Sequence, residues 1–277
     1  MKTIQHIIVL GIAFTSNISY PLQLQALPVN NHLANNHFAS VKFIPPPPPP
    51  DRSATGSRGG AASRGCKATN QTLTALVPTY EHTLNQGKQL VDPPITQVWG
   101  LTNSENPNFF FFVPYNASSI ADIEFVLKDE TIKKGQTLYR TSLTPPKSPG
   151  IISVNLPASV TSLQMGKMYH WFFKVKVKCD ETQLITLDYV EGWVQRVNQN
   201  STLEEQLKQS SLQEKTALYA ENGIWYDAIA SLVELRLSDR QNQTLLTKWK
   251  TLLNSVGLEE IANQQLIDCC KPLNQDN

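Results

Sequence analysis

The chain has 277 residues, with 24 Lys and Arg against 23 Asp and Glu and a charged fraction of only 17 %. A net charge of +1 excludes a general nucleic-acid binder, which needs a marked basic excess to neutralise phosphates. The length supports a full hydrophobic core without a metal, and four cysteines allow one or two bridges but no disulfide scaffold.

Lys2 precedes the apolar run Ile7 to Phe14, and Leu24-Gln25-Ala26 ends on a small residue. A basic start, a short apolar stretch and a small-residue site describe an export signal over residues 1–26. The run is too short to span a bilayer, and no later stretch is apolar enough to do so. The expectation is therefore an extracytoplasmic protein with no transmembrane segment after cleavage. Residues 27–65 then read as a leader: six prolines, Pro45 to Pro50, form a stiff polyproline II rod. A Gly/Ser/Ala stretch with Arg52, Arg58 and Arg64 follows, and its composition predicts disorder.

Residues 66–198 carry period-two patterning bounded by Pro, Gly and Asn. Strands are predicted at Ile95–Gly100, Phe109–Tyr115, Ile120–Asp129, Thr137–Leu143, Gly150–Leu156, Tyr169–Cys179 and Ile185–Val197. Seven strands rich in Val, Ile, Phe and Tyr predict an antiparallel, immunoglobulin-like β-sandwich. Tyr169, Trp171, Phe173, Val175, Val177 and Cys179 alternate with His170, Phe172, Lys174, Lys176 and Lys178, so the first set faces the core. In an oxidising compartment Cys179 and Cys66 read as a bridge, worth up to about 4–5 kcal/mol in the chain-entropy model. Cys269 and Cys270 are adjacent, and a vicinal bridge is strained, so they are expected to be free, paired elsewhere or linking two chains.

Residues 199–272 switch to helical period, giving a mainly β, α+β chain. Helices are predicted at Leu203–Ala220, Ile224 to about Leu237, Thr244–Val256 and Glu259–Cys270, packed against the sandwich. Four consecutive phenylalanines, Phe109 to Phe112, put rings on both faces of one strand, and the helices are expected to cover the outer one.

Several long segments carry a family resemblance. They include Gly59 to Cys66, Leu73 to Pro78, Phe111 to Tyr115, Ala121 to Leu127, Tyr139 to Thr141 and Pro149 to Ile152. Later come Gly166-Lys167, Tyr169 to Trp171, Tyr189 to Val194 and Tyr219 to Ala228. Together these resemble a cyanobacterial family of exported proteins catalogued as domain of unknown function 928, over about Gly59 to Ile267. The resemblance implies a cyanobacterial source and an envelope or extracellular setting. It brings no activity, cofactor or catalytic residue.

No G-x-S-x-G, phosphate loop or dinucleotide glycine pattern occurs, so no cofactor is expected. Only His82 and His170 lie in the folded part, too few for a histidine-based zinc site. The strongest pattern is Tyr189, Glu191 and Trp193 on one strand face. Flat rings stack on sugar faces while a carboxylate takes hydroxyls, which suits carbohydrate contact. The structural alternative buries Trp193 and pairs Glu191 with Lys174, Lys176 or Lys178. Trp225 and Tyr226, with Tyr219, Glu221 and Asp227, form a second aromatic–acidic cluster, either core or partner groove. Two function classes follow. One is a non-enzymatic binding or assembly module for an envelope protein or polysaccharide. The other is a carbohydrate-active hydrolase using Glu191 and a second carboxylate, for which Asp227 and Glu221 are candidates; such chemistry needs two acids about 5–10 Å apart.

Overall fold

The alternation between residues 95 and 196 folds into two sheets that meet across an aromatic core. The computed structural model describes residues 41–47, 49, 54–60, 70–82, 85–86, 89–90, 95–130, 135–159, 162–179 and 184–273, all within the unit Ala39–Asn277. The predicted export signal at 1–26 and Cys66 lie outside the described residues.

In chain order the strands are β1 (Thr74–Ala75), β2 (Thr79–His82), β3 (Asn85–Gln86), β4 (Gln89–Leu90), β5 (Ile95–Thr102) and β6 (Asn108–Val113). They continue with β7 (Ile120–Asp129), β8 (Gln136–Ser142), β9 (Gly150–Asn155), β10 (Met168–Lys178) and β11 (Ile185–Arg196). Six form one sheet in the order β2-β5-β11-β10-β7-β8; β1-β6-β9 form a second, and β3-β4 a small hairpin. The facing sheets are joined by rings: Phe111 stacks on Phe173 at 4.0 Å between centroids, and Phe109 lies 4.9 Å from Phe125. Gly192 makes this packing possible, since a Cβ there would stand 2.5 Å from the Trp171 ring across the strand pair.

The expected wholly antiparallel arrangement fails at one pair. β5 and β11 run parallel, with Trp193 opposite Trp99 and Arg196 opposite Thr102. More than eighty residues separate these strands, so no hairpin turn dictates their relative direction. Below Trp99 and Trp193 the two strands no longer pair, and residues 54–57 fill the gap as a wedge. Val98 N–H donates to Ala54 O (2.9 Å), while Ser57 and Glu191 exchange both backbone bonds (3.1 and 3.0 Å). These residues belong to the stretch predicted to be disordered. Their backbone groups, satisfied by two strands at once, supply what their side chains cannot. Arg58 extends the contact to the helices, donating to Val256 O (2.6 Å) and Gly257 O (3.0 Å) just beyond the last helix. Val41 and Phe43 are also buried, and Phe43 packs edge-on to Trp225 at 5.0 Å.

Four helices follow: α1 (Ser201–Gln209), α2 (Leu212–Glu221), α3 (Trp225–Ser238) and α4 (Gln243–Asn254). The single helix predicted over Leu203–Ala220 is broken at Ser210–Ser211, because Ser211 caps α2 in a reciprocal box with Glu214. The helix predicted over Glu259–Cys270 does not form. Instead, Ile151 N–H donates to Gln265 O (2.8 Å), Ile267 N–H to Ile151 O (2.8 Å) and Leu273 N–H to Ser142 O (2.9 Å). The tail thus docks along β9 and the end of β8. Cys269 and Cys270 form the corner between these dockings and are bonded to each other, not free or paired elsewhere. Held on both sides, the corner keeps the two sulfurs together. α3 packs against β5 and β6, and all four phenylalanines of β6 are buried.

Candidate functional site

The inner and outer faces of β10 and β11 differ sharply. Inside, Tyr169, Trp171, Phe173, Val175 and Val177 are buried as predicted. Outside, the register sets Trp193 beside His170 and Glu191 beside Phe172, with Tyr189 beside Lys174. Tyr189 is 44 % exposed, whereas Glu191 and Trp193 are half-buried. The predicted stripe Tyr189–Glu191–Trp193 is therefore one continuous strip of this face, with Phe172, partly covered, as a third ring.

Glu191 does not pair with the lysines of β10. Lys174 reaches Glu124 (3.3 Å) and Lys176 reaches Asp122 (3.1 Å), carboxylates of β7 directly opposite in register. Glu191 Oε2 instead lies 3.3 Å from His170 Nε2, while His170 Nδ1 lies 2.9 Å from Glu130 Oε1. The His170 side chain is only 10 % exposed. It stacks on Trp193 at 4.2 Å with planes 9° apart and touches Phe172 at 4.1 Å. Trp193 is fixed from another side, its Nε1–H donating to Thr55 O of the wedge at 3.0 Å. Lys128 sits over the Phe172 ring, 4.8 Å from its centroid. The sequence pointed to Glu191 and Trp193, counted His170 only against a zinc site and gave Glu130 no role. Strand alternation puts His170 on the solvent side, and only the cross-strand register reveals the rings that cover it.

Trp225 and Tyr226 lie elsewhere, 0 and 2 % exposed in the core. Trp225 Nε1–H donates to Leu76 O (2.8 Å), and Tyr226 Oη accepts from Trp171 Nε1 (2.8 Å) while donating to Trp193 O (3.1 Å). Rings buried and bonded in this way lock α3 onto the sheet. Gly100 permits the approach, since a Cβ there would press on Tyr226 at 3.1 Å.

Asp227, in the first turn of α3, accepts from Thr102 Oγ1 (2.8 Å) and Asn103 N–H (3.0 Å), tying α3 to the end of β5. Burial pushes its carboxyl up to about 6, against the pull of these donors. It lines an open polar cleft of about 430 Å³ whose walls also include Asn106, Tyr219, Glu234 and Asp268. Glu191 is not among the residues of that cleft, so the two acids singled out from the sequence serve different places. Glu221 is exposed at the end of α2.

A family model described as Domain of Unknown Function (DUF928) matches residues 54–266. The chain belongs to this family. The DUF928 match begins at Ala54, the first residue of the wedge, rather than at Cys66, the predicted start of the folded part. It ends at Leu266, which pairs with Ile151 on β9. No curated protein and no solved structure matches the chain.

Proposed function

We propose that this DUF928 protein is an exported, non-enzymatic binding module of the cell envelope, in a cyanobacterial setting. Its contact surface is the outer face of the six-stranded sheet, and its sheets form a variant of the immunoglobulin-like sandwich. The observation that carries the reading is the strip Tyr189–Glu191–Trp193. An exposed ring, a carboxylate and a second ring follow one another along a strand, beside Phe172 and Lys174. Such a surface offers stacking planes and hydroxyl acceptors at fixed spacing, the chemistry that an envelope polysaccharide would meet. A hydrolase is disfavoured at this place because the space beside Glu191, where the second acid would have to act across a bound sugar, holds the His170 ring.

Retention of the purified mature chain on peptidoglycan and on extracted envelope polysaccharide tests the reading. Tyr189→Ala is expected to weaken retention about tenfold, equivalent to roughly 1.4 kcal/mol. Absence of retention on either material, or undiminished retention of the variant, would remove its basis. For the export signal and the Cys66–Cys179 bridge, mass spectrometry of the extracytoplasmic fraction should find a chain without residues 1–26. Non-reducing digestion should join the peptides carrying Cys66 and Cys179; two free thiols there would exclude the bridge.

A further inference from the structure

His170 presents both ring nitrogens to carboxylates: Nδ1 to Glu130 at 2.9 Å and Nε2 to Glu191 at 3.3 Å. A neutral imidazole carries one N–H and one lone pair, so it can donate to only one of them; the imidazolium donates to both. The two links are unequal. The Glu130 contact is a hydrogen bond, whereas Nε2 is buried and has no aligned hydrogen bond. Among the described residues, the other charged group facing the ring is Lys128, opposite His170 on β7, which lies over Phe172 and not over the imidazole. β11 contributes Glu191 and the Trp193 ring, and the wedge contributes the carbonyl that holds Trp193.

We infer that His170 is a positioning residue whose protonation state governs the binding face: as imidazolium it draws Glu191 in beside Trp193, and as neutral imidazole it keeps Glu130 and lets Glu191 go. Glu130 holds the Nδ1–H in both states, so the proton that leaves is the one on Nε2, facing Glu191. The released carboxylate then stands on the strip with both oxygens open to hydroxyl donors. Trp193 loses its stacked cation but stays bonded to the wedge. Contact with a polyhydroxyl ligand is therefore strengthened as pH rises through the His170 transition. This last consequence rests on the proposed function; the release of Glu191 does not.

The full mature chain is titrated between pH 5 and pH 8 by nitrogen-correlated NMR of the His170 ring. Trp193 emission is followed as the difference between wild type and Trp193→Phe. An imidazolium stacked on an indole quenches it, so the Trp193 contribution is expected to rise with the same midpoint as His170. Neutral His170 should retain its proton on Nδ1. Glu130→Gln and Glu191→Gln should each move the midpoint to lower pH, because each removes a carboxylate that favours the charged ring. A midpoint unmoved in both variants, Trp193 emission indifferent to the titration, or a neutral tautomer protonated on Nε2 would overturn the inference. Retention on peptidoglycan and envelope polysaccharide is then measured at pH 5 and pH 8. Where the ring titrates as described but nothing is retained at either pH, the binding reading fails and the positioning role of His170 stands.

Discussion

Trp171 and Trp193 lie on the paired strands β10 and β11, one residue apart in register, and they have opposite fates. Trp171 is 0 % exposed on the inner face, packed against Phe111 at 5.5 Å and bonded to the Tyr226 hydroxyl. Trp193 lies half-buried on the outer face, covered by one imidazole and tied to one carbonyl of the wedge. The acids follow the same division. Asp188, on the inner side of β11, is 1 % exposed and accepts from Tyr115 Oη at 2.6 Å; burial first, and then this bond, drive the tyrosine pKa upward. Glu191, three residues on, keeps a looser contact. A core satisfies each polar atom once and closes over it, whereas a recognition face holds its groups in place and leaves them capacity to bind. The contrast between the faces is thus one of saturation rather than of residue type.

The largest effect that could break this contrast comes from truncating the two tryptophans. Trp171→Ala should cost about 3–5 kcal/mol in urea unfolding, from lost burial and the cavity left behind. Trp193→Ala should cost about 1–2 kcal/mol, since one stacked ring contact and one hydrogen bond are lost at a half-exposed site. Equal losses would mean that the outer ring is as structural as the inner one. A smaller effect concerns the acid beneath α3. The Asp227 pKa of about 6 lies above its unfolded value, so the folded state keeps the proton longer than the unfolded chain. The contribution of this group to stability is full below about pH 4 and falls as pH rises towards 6, by on the order of 3 kcal/mol. Asp227→Asn cannot ionise and retains an acceptor for Thr102. Its unfolding free energy should lack that decline relative to wild type between pH 4 and pH 7. An unchanged slope would show that the carboxylate is better hydrated than its position under α3 implies.

Much of this frame was readable in advance because period-two patterning carries it. The seven predicted strands form within about two residues of their predicted ends, and β10 buries the side that its sequence assigns to the core. The wedge was not readable: Ala54 to Gly59 has no apolar alternation, and its place depends on backbone bonds to two distant strands. Strand direction was hidden for a similar reason, since the parallel pairing of β5 and β11 is set by partners far apart in sequence. The tail was misread as helix because apolar residues at Leu258, Ile261, Ala262 and Leu266 have helical spacing, yet they pack as turns whose last residues join β9. At the site, the stripe on β11 was visible, but its neighbours were not. The structural alternative for Glu191 gave it lysine partners by charge alone. Register gave those lysines to Glu124 and Asp122 and left Glu191 facing a histidine.

Glu191→Gln should have the smallest effect on stability and the most informative one on binding. Its 3.3 Å approach to Nε2 is not an aligned bond, and its backbone pairing with Ser57 does not depend on the side chain. The unfolding free energy should therefore change by no more than about 0.5 kcal/mol, the range usual for substitutions outside saturated networks. Glutamine keeps the shape and one carbonyl acceptor but loses the charge that strengthens hydrogen bonds to hydroxyls. Retention on polysaccharide should fall while the fold holds. A loss of 2 kcal/mol or more would place Glu191 with Asp188, as a group the fold has saturated. The outer face would then have to be read as a second, shallower core whose covering is the wedge and the His170 ring.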